Sequence, residues 1–335
     1  MSIFGSTNRY MNSFSEINNE EHFIRKYPTY IRELDDYLVK GFDAGLDIIA
    51  GGSNAGKTSF AIQLAATMAK HGQPVFYFAL EQPKEALFAK VLVAELEQQH
   101  GLHIKADDIL FKEKASEMPI ENQHAYTAAV DPIINQFASS FYIYDTKTFE
   151  EQTGKAKMTV EAIGEVVEAY VKETERVPVI FVDYLQIIPP VNDNVEFNET
   201  AATNEISTHL VKLARRYNTA VIAISSMKKE SSKGDIEMDS IRGSGQIVYG
   251  ADLVLGLQFE KSPTFDLTEA KSKSIRDMEI IVLKQRFGTG AGKLPCKFHA
   301  EYSYFDFSNE ADSDVFDIST IDINELEEVN MLDSI

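Results

Sequence analysis

Gly51-Gly-Ser-Asn-Ala-Gly56-Lys57-Thr58 is the stretch of sequence on which the prediction of the fold rests. It has the spacing G-x-x-x-x-G-K-[ST], follows an apolar run at residues 46–50, and opens a helix-like segment. Glycines let backbone N–H groups approach and surround phosphate oxygens, and a helix N-terminus adds the positive end of its dipole. This strand–loop–helix context predicts a phosphate-binding loop rather than a chance glycine turn.

The loop predicts ATP and Mg²⁺ as ligands. Lys57 is expected to bridge the β- and γ-phosphates, and the Thr58 hydroxyl is expected to hold Mg²⁺. The residues expected to contact the nucleotide are Gly51, Ser53, Asn54, Ala55, Gly56, Lys57, Thr58 and Ser59.

Two further apolar runs lead to acidic residues. Asp183 ends the run VIFVD, and in nucleoside triphosphatases with such a loop this acid reaches Mg²⁺ through water. Glu81 follows the run at 75–80, where a carboxylate beside the loop can orient or deprotonate the attacking water. The alternative role for Glu81 is an N-cap for the helix that begins near residue 83, and the two roles are compatible.

Seven apolar runs alternate with amphipathic segments from residue 30 onward. Continuous apolar strands separated by helices are typical of a parallel sheet covered on both faces. The fold class is therefore α/β, with a mostly parallel β-sheet flanked by helices. The expected strands are 46–50, 75–80, 141–144, 179–182, 220–224, 253–257 and 278–283, and the expected helices are 57–71, 83–99, 159–174 and 203–217.

Three regions are expected along the chain. Residues 1–29 are a polar, irregular N-terminal arm, residues 30–308 are one large domain with a helical insertion at 100–137, and residues 309–335 are an acidic flexible tail. The tail has nine Asp and Glu residues and neither Lys nor Arg. Its apolar spacing would suit a docking motif, but a solvated, disordered segment is the favoured interpretation.

The composition limits the compartment and the partners. The 335 residues have a net charge of −20, which argues against a wide non-specific nucleic-acid surface but allows a narrow basic channel. The single cysteine, Cys296, excludes an intrachain disulfide and suits a reducing compartment. The sequence has neither an apolar run long enough for a membrane span nor a signal pattern. We therefore expect a cytoplasmic protein of a bacterium or phage-infected cell, with no membrane partner.

Lys284 and Arg286 follow the last apolar run and precede a glycine-rich turn. Side chains at positions i and i+2 of a strand point to the same face, so the two cations are expected to project side by side. From these residues alone, an ordinary solvated strand end is the preferred interpretation.

Taken in order, these segments resemble the RecA-type motor domain of hexameric replicative DNA helicases, both the bacterial DnaB type and the helicase half of the phage T7 primase-helicase. The resemblance extends over about residues 30–307 and implies a RecA-like P-loop NTPase core. It also implies a homo-oligomer that forms a ring or a filament, with a hexamer expected. The resemblance rests on the segments GGSNAGKTSF, FYFALEQPKEAL, FYIYDT, VIFVDYLQII, IRGSGQIVYGAD, VLKQRFGTGAG and KFHAEYSYF.

The resemblance implies a role for Lys284 and Arg286. In that family a Lys-x-Arg strand end reaches the γ-phosphate of the ATP bound to the neighbouring subunit, and Lys284 and Arg286 match this pair. An arginine supplied in this way stabilises charge in the transition state. The implied catalytic residues are Glu81, Lys57, Lys284 and Arg286, and the implied metal ligands are Thr58 and Asp183.

The resemblance places DNA contact in two central loops, at about 190–204 and 228–246. The first loop has three acids and neither Lys nor Arg, and the second is locally neutral. The second loop can bind a phosphate backbone through N–H groups, Ser, Gly and a few cations, and a loop that binds no DNA is the alternative. The expected DNA-binding residues are Lys228, Lys229, Lys233, Arg242, Gly243, Ser244 and Gly245.

Some positions depart from the family pattern. Ser226 stands where DnaB-type proteins have a glutamine that senses the γ-phosphate, so coupling to DNA is in doubt there. Only about 30 residues precede the motor domain, so the protein is expected either to work without a collar or to hold its ring in another way. Tyr302 or Tyr304 is the guess for a side chain that packs on the nucleotide base.

Two functions are consistent with the sequence. The first is an ATP-dependent replicative DNA helicase that translocates on single-stranded DNA and unwinds duplex, with 5′–3′ polarity expected from the resemblance. Its arm and tail would recruit a primase, a helicase loader or other replisome proteins. The alternative is a RecA-fold regulatory or recombination-mediating ATPase that acts on protein partners without unwinding.

Overall fold

A nine-stranded β-sheet with helices on both faces organises the molecule. The computed structural model describes residues 25–190, 199–228, 235–242, 244–261, 264–288 and 292–308. The strands are β1 Lys26–Tyr27, β2 Phe42–Asp43, β3 Leu46–Gly51, β4 Val75–Ala79, β5 Phe141–Asp145, β6 Val179–Asp183, β7 Val221–Ser226, β8 Leu253–Phe259, β9 Ile275–Gln285, β10 Lys293–His299 and β11 Tyr304–Asp306.

Helices connect and cover these strands. They are α1 Arg32–Tyr37, α2 Lys57–Lys70, α3 Lys84–His100, α4 Ala106–Leu110, α5 Lys112–Glu117, α6 Ile120–Phe137, α7 Thr146–Thr153, α8 Val160–Thr174, α9 Glu199–Tyr217, α10 Ser244–Gly250 and α11 Leu267–Ser272. Within the described ranges, none of them is long and apolar enough to cross a membrane.

The sheet has the strand order β11-β10-β9-β8-β3-β7-β6-β4-β5. The six strands from β8 to β5 are parallel to one another, and β9, β10 and β11 are added antiparallel. The parallel strands therefore share one carboxyl edge, where their carboxyl ends lie, and one amino edge at the opposite side. Because β9 runs in the reverse direction, it begins at the carboxyl edge and ends at the amino edge.

Two apolar clusters lie on the two faces of the sheet. Residues that alternate along the same strand belong to different clusters: Ile49 lies in one and Ile48 in the other, as do Tyr77 and Phe76. Such strands must be apolar throughout because both faces are covered by helices. This arrangement confirms the predicted α/β class with a mostly parallel sheet.

The local predictions agree closely with the elements. All seven predicted strands are present, and the Thr159 hydroxyl caps α8 by accepting a hydrogen bond from the Ala162 amide at 3.2 Å. The predicted helix at 203–217 is longer, because α9 begins at Glu199. The segment at 100–137 is helical, as expected, and forms α4, α5 and α6. The sequence analysis missed β10 and β11 at the end of the domain.

The predicted arm and tail fall mostly outside this description. Residues 1–24 of the arm and residues 309–335 of the tail lie outside the described residues. The remaining part of the arm, residues 25–29, contains β1, which pairs with β2.

A group of buried carboxylates lies at the amino edge of the sheet. Asp43, Asp47 and Asp252 are all buried there. Lys26 pairs with Asp43 at 2.7 Å, and Arg286 pairs with Asp252 at 2.9 Å. Burial raises the pKa of Asp47 well above its usual value, and the carboxylates of Asp43 and Asp252 raise it further. The carboxyl group of Asp47 therefore keeps its proton to a higher pH in the folded protein than in the unfolded chain.

We predict that Asp47→Asn stabilises the protein at alkaline pH but has little effect in acid. Below the usual carboxyl range Asp47 is protonated whether the chain is folded or unfolded, so an amide of the same shape is nearly equivalent. As the pH rises, the unfolded chain loses this proton first, and each tenfold difference in acidity costs wild-type stability about 1.4 kcal/mol. Urea unfolding from about pH 4 to about pH 8 measures the difference in the free energy of unfolding between Asp47→Asn and the wild type.

The exposed Asp36 of α1 supplies a matched control, because its side chain is 78% accessible. Asp36→Asn should leave the free energy of unfolding nearly unchanged across the same pH series. A gap between Asp47→Asn and the wild type that stays constant with pH would contradict a protonated Asp47.

Candidate functional site

The predicted phosphate-binding loop joins β3 to α2 at the carboxyl edge of the sheet. Asn54 and Gly56 both have a positive φ, at 63° and 82°. A Cβ atom at Gly56 would lie 2.8 Å from the Phe305 ring, so a side chain there would clash as well as strain the backbone. The loop conformation thus depends on this glycine and on the aromatic strand beneath it.

Lys57 begins α2 and bends back over the loop. Its Nζ donates a hydrogen bond to the Gly52 carbonyl at 2.9 Å. Burial lowers the pKa of Lys57, while the nearby carboxylates of Asp183 and Glu81 oppose this effect. An ammonium group withdrawn from water and bonded to a loop carbonyl is well placed to exchange that carbonyl for phosphate oxygens.

Asp183 lies at the end of β6, two strands away from the loop strand β3. Burial raises the pKa of Asp183, and hydrogen bonds donated by the Tyr77 and Thr58 hydroxyls limit the rise. The Tyr77 bond measures 2.9 Å to Oδ2. Asp183 and Thr58, predicted separately from the sequence, are therefore brought together in one place.

This pair of side chains fits Mg²⁺. Among the described residues no group of three or more His, Cys, Asp or Glu side chains forms a metal cluster. Mg²⁺ does not require one, because in nucleotide sites it is held by one or two protein oxygens together with water and phosphate oxygens. A hydroxyl and a carboxylate in contact, Thr58 and Asp183, provide such a donor set.

Glu81 lies on an exposed bend just past β4, whose last residue, Ala79, is paired with Asp183. The N-terminus of α3 is capped by another residue: the Lys84 amide donates to the Asp145 carboxylate at 3.0 Å. Burial of Asp145 is outweighed by this bond and by the Thr148 amide, so its pKa is lowered. Capping by Asp145 removes the need for Glu81 to serve as the cap.

Lys90 is a site residue that the sequence analysis missed. It lies on α3 beside the buried residues Ala89 and Val91, and burial lowers its pKa while Asp183 opposes the change. Lys90 therefore adds a second largely desolvated cation near Asp183. The signal in the sequence was a lysine on the apolar face of a predicted helix, at helical spacing from Leu87 and Ala94.

Arg276, at the start of β9, contacts the loop directly. Its Nη1 donates to the Asn54 carbonyl at 3.1 Å, and its guanidinium carbon lies 5.6 Å from the centroid of the Phe298 ring. The carboxyl edge therefore holds a third cation, which fixes the backbone of the loop.

The two tyrosines expected as base contacts pack against other rings. Tyr302 lies against His103, and Tyr304 stacks on His299. Phe298 and Phe305, not these tyrosines, approach the loop at Gly56.

Lys284 and Arg286 lie at the amino edge, far from the loop of their own chain. Gln285 is paired with Leu253, which is paired with Asp47 near the start of β3, whereas the loop follows the end of β3. The offset along the strand is on the order of 15 Å. Lys284 donates to the carbonyls of Val248 and Tyr249 at 2.9 and 2.8 Å.

The base of the second predicted DNA loop is closed by a bridge between Met227 and Ile241. Lys228 is exposed there, and its Nζ donates to the Asp239 carbonyl at 2.7 Å. The amide of Arg242 donates to the Ser226 carbonyl at 2.9 Å. Ser244 and Gly245 lie in the first turn of α10, and Lys229, Lys233, Gly243 and most of the first loop lie outside the described residues.

An amide group lies next to Ser226 although position 226 itself has a hydroxyl side chain. Gln186, three residues after Asp183, donates from Nε2 to the Ser225 hydroxyl at 2.7 Å and to the Arg242 carbonyl at 3.1 Å. One side chain therefore connects the segment after β6 with the end of β7 and the base of the loop.

The chain is similar to known proteins over most of its length. A family model described as DnaB-like helicase C terminal domain matches residues 27–307. A probable replicative DNA helicase of Trieres chinensis is 28% identical over 284 residues, covering 81% of this chain and 55% of the relative. Replicative DNA helicase DnaB of Geobacillus stearothermophilus is 29% identical over 294 residues, covering 86% and 58%. The chain thus spans a little over half the length of these curated relatives.

A solved structure supports the same fold. This structure, which is described as an ATPase domain, has a TM-score of 0.72 and 25% identity, and the match covers 91% of this chain and 99% of that one. The expected RecA-like core is confirmed by this similarity.

We predict that Tyr77→Phe lowers the free energy of unfolding by about 1–3 kcal/mol at neutral pH, because the Asp183 carboxylate loses its buried donor. The bond favours the ionised carboxylate, so the loss should shrink in acid, where Asp183 is protonated in both variants. Urea unfolding without nucleotide, at neutral and at acid pH, measures this loss of stability. Tyr144→Phe, on the adjacent strand β5, is the control, and an equal loss in both variants would contradict the role of the bond.

Proposed function

Because the chain belongs to the DnaB-like helicase C-terminal domain family, we propose that it is the ATP-driven motor of a replicative DNA helicase. Six copies form a ring around single-stranded DNA, hydrolyse ATP at their interfaces and translocate 5′–3′ to open duplex. A primase, a helicase loader or other replisome proteins bind the arm at 1–29 and the acidic tail at 309–335. Residues 30–308 form the motor domain, with the insertion at 100–137.

The position of Lys284 and Arg286 carries this proposal. Both cations lie at the amino edge of the sheet, and the loop that binds nucleotide lies at the carboxyl edge. An arginine side chain cannot bridge a separation on the order of 15 Å. A second copy that presents its amino edge to this carboxyl edge completes the site, and repetition of that head-to-tail contact closes a ring.

The residues of the loop side act on the nucleotide of their own chain. Lys57 and Lys90 neutralise phosphate charge, and the amides of residues 51–59 surround the phosphate oxygens. Thr58 and Asp183 would hold Mg²⁺, which would supply neutralisation of phosphate charge when bound. Glu81, released from capping by Asp145, orients the attacking water and accepts its proton.

The residues of the other edge act on the neighbour's nucleotide. Arg286 and Lys284 approach the γ-phosphate from outside the loop and stabilise the charge that develops on its oxygens during transfer. DNA contact falls to residues that meet the phosphate backbone through cations and amides. They are Lys228, Lys229, Lys233, Arg242, Gly243, Ser244 and Gly245.

A second candidate is an ATPase of the same fold that acts on protein partners without unwinding. The observations in its favour are the net charge of −20 and the Lys228 ammonium, which is already bound to a carbonyl within the loop. Dependence of the ATPase activity on DNA separates the two functions.

We predict that single-stranded DNA stimulates the steady-state ATPase activity of the purified chain at modest salt. Lys57→Ala should abolish hydrolysis with and without DNA, because the phosphates lose their ammonium contact. Stimulation should weaken as salt is raised, since phosphate contacts release counterions. Turnover that is indifferent to DNA across the salt series would favour the protein-directed ATPase.

We predict that Arg286→Ala and Glu81→Ala each abolish hydrolysis but still bind nucleotide, and that mixing the two variants restores activity. At interfaces where the loop comes from an Arg286→Ala subunit and the arginine from a Glu81→Ala subunit, every group is intact. Random mixing at equal amounts makes roughly a quarter of the interfaces of this kind. No recovery in mixtures whose ring assembly has been verified would refute action in trans.

A further inference from the structure

One short segment binds both Lys284 and Arg286. The carbonyls of Val248 and Tyr249, at the carboxyl end of α10, accept hydrogen bonds from the Lys284 ammonium. The Asp252 carboxylate accepts the Arg286 guanidinium at 2.9 Å. We call residues 248–252 the holder segment.

We propose that the holder segment, and Asp252 above all, positions Lys284 and Arg286 for the nucleotide of the neighbouring subunit. The inference rests on the proposed function, because it concerns how the cations that act in trans are aimed. Asp252 is a positioning residue, since it touches Arg286 and not the nucleotide.

Two hydrogen bonds and burial hold Asp252 in place. Its Oδ2 accepts the Leu46 amide at 3.1 Å, its own carbonyl accepts the Arg286 amide at 2.8 Å, and its side chain is only 9% accessible. The first contact ties it to the start of β3 and the second to the end of β9. The carboxylate is therefore a rigid anchor whose Oδ1 is directed at the guanidinium.

Arg286 remains accessible although it is paired. Its side chain is 39% exposed, and the ion pair restricts where the guanidinium points. A guanidinium has five N–H donors, and the pair with Oδ1 uses Nη1, so the group has donor capacity for a phosphate oxygen as well. The ion pair with Asp252 therefore leaves the Arg286 guanidinium accessible to a phosphate oxygen of another subunit.

The surroundings of the holder segment suit contact with another copy. Tyr249 is 75% exposed and Phe287 is 45% exposed, one beside each cation. Aromatic side chains and arginine are enriched at the centre of protein interfaces. The partner is a second copy of this chain, because the groups that Lys284 and Arg286 would complete are present at its carboxyl edge.

Lys284 is held by a helix end, which adds an electrostatic argument. The last carbonyls of a helix carry partial negative charge and attract a cation. Burial lowers the pKa of Lys284, and Arg286 lowers it further, while Asp252 opposes both. Asp252 thus offsets the repulsion between the two like charges and keeps them close together at the edge.

The test is Asp252→Asn, which keeps the shape and an oxygen for the Leu46 amide but removes the charge that holds Arg286. We expect kcat to fall about 10- to 100-fold, because a misplaced catalytic group is costly, while KM for ATP stays within about twofold. Mixed with Glu81→Ala subunits, the variant should regain activity, since its own loop is intact and its neighbour supplies a well-positioned arginine.

Asp43→Asn is the matched control, because Asp43 is also buried at this edge but pairs with Lys26. It should leave kcat unchanged. If Asp252→Asn does not fold, as judged by its thermal transition, Asp252→Glu replaces it and should lose kcat to a smaller extent with the same recovery on mixing.

The outcomes distinguish this proposal from the proposed function. If Arg286→Ala regains activity with Glu81→Ala but the Asp252 variant does not, the holder role is wrong and trans action stands. A kcat like that of the wild type in the Asp252 variant also overturns the holder role. If neither mixture recovers, trans action itself fails and the holder proposal fails with it.

Discussion

The antiparallel pairing of β9 with β8 is the constraint on which the rest of the arrangement depends. Because β9 runs against the parallel strands, its first residues reach the nucleotide loop and its last residues reach the opposite edge. Arg276 contacts the loop at Asn54, whereas Arg286 pairs with Asp252 beside the start of β3. The two ends of β9 thereby place different cations at the two edges of the sheet. The carboxyl edge has the loop and Arg276, and the amino edge has Arg286.

The charges of the loop edge are arranged to receive a ligand that is itself charged. Lys57 and Lys90 are partly desolvated cations, and Asp183 is a partly desolvated anion, as their pKa shifts indicate. Desolvation of this kind costs stability in the free protein. Negative phosphates would pair with the two lysines, and Mg²⁺ would pair with Asp183. Binding of such a ligand would offset the cost of desolvating these three side chains.

Much of the fold followed from the sequence because a strand covered on both faces has to be mostly apolar, and the buried strands β3, β4, β6, β7 and β8 are mostly apolar. The loop and Asp183 were found because motif spacing and strand ends are local features. The strand β10 was missed because it mixes polar with apolar residues, and β11 was missed because it has only three residues. The cap of α3 by Asp145 and the pair between Asp252 and Arg286 depend on strand order, which periodicity along the chain does not contain.

Gln186 brings a side-chain amide to the end of β7 from the 3-10 turn that follows β6. Position 226 at the end of β7 is a serine, whose side chain has a hydroxyl and no amide. The amide of Gln186 lies against the end of β7 and also binds the Arg242 carbonyl at the base of the loop. Because Gln186 follows Asp183 by three residues, a short path of covalent and hydrogen bonds joins the Asp183 carboxylate to Arg242. A connection between the end of β6 and the base of the second predicted loop therefore does not require a long side chain at position 226.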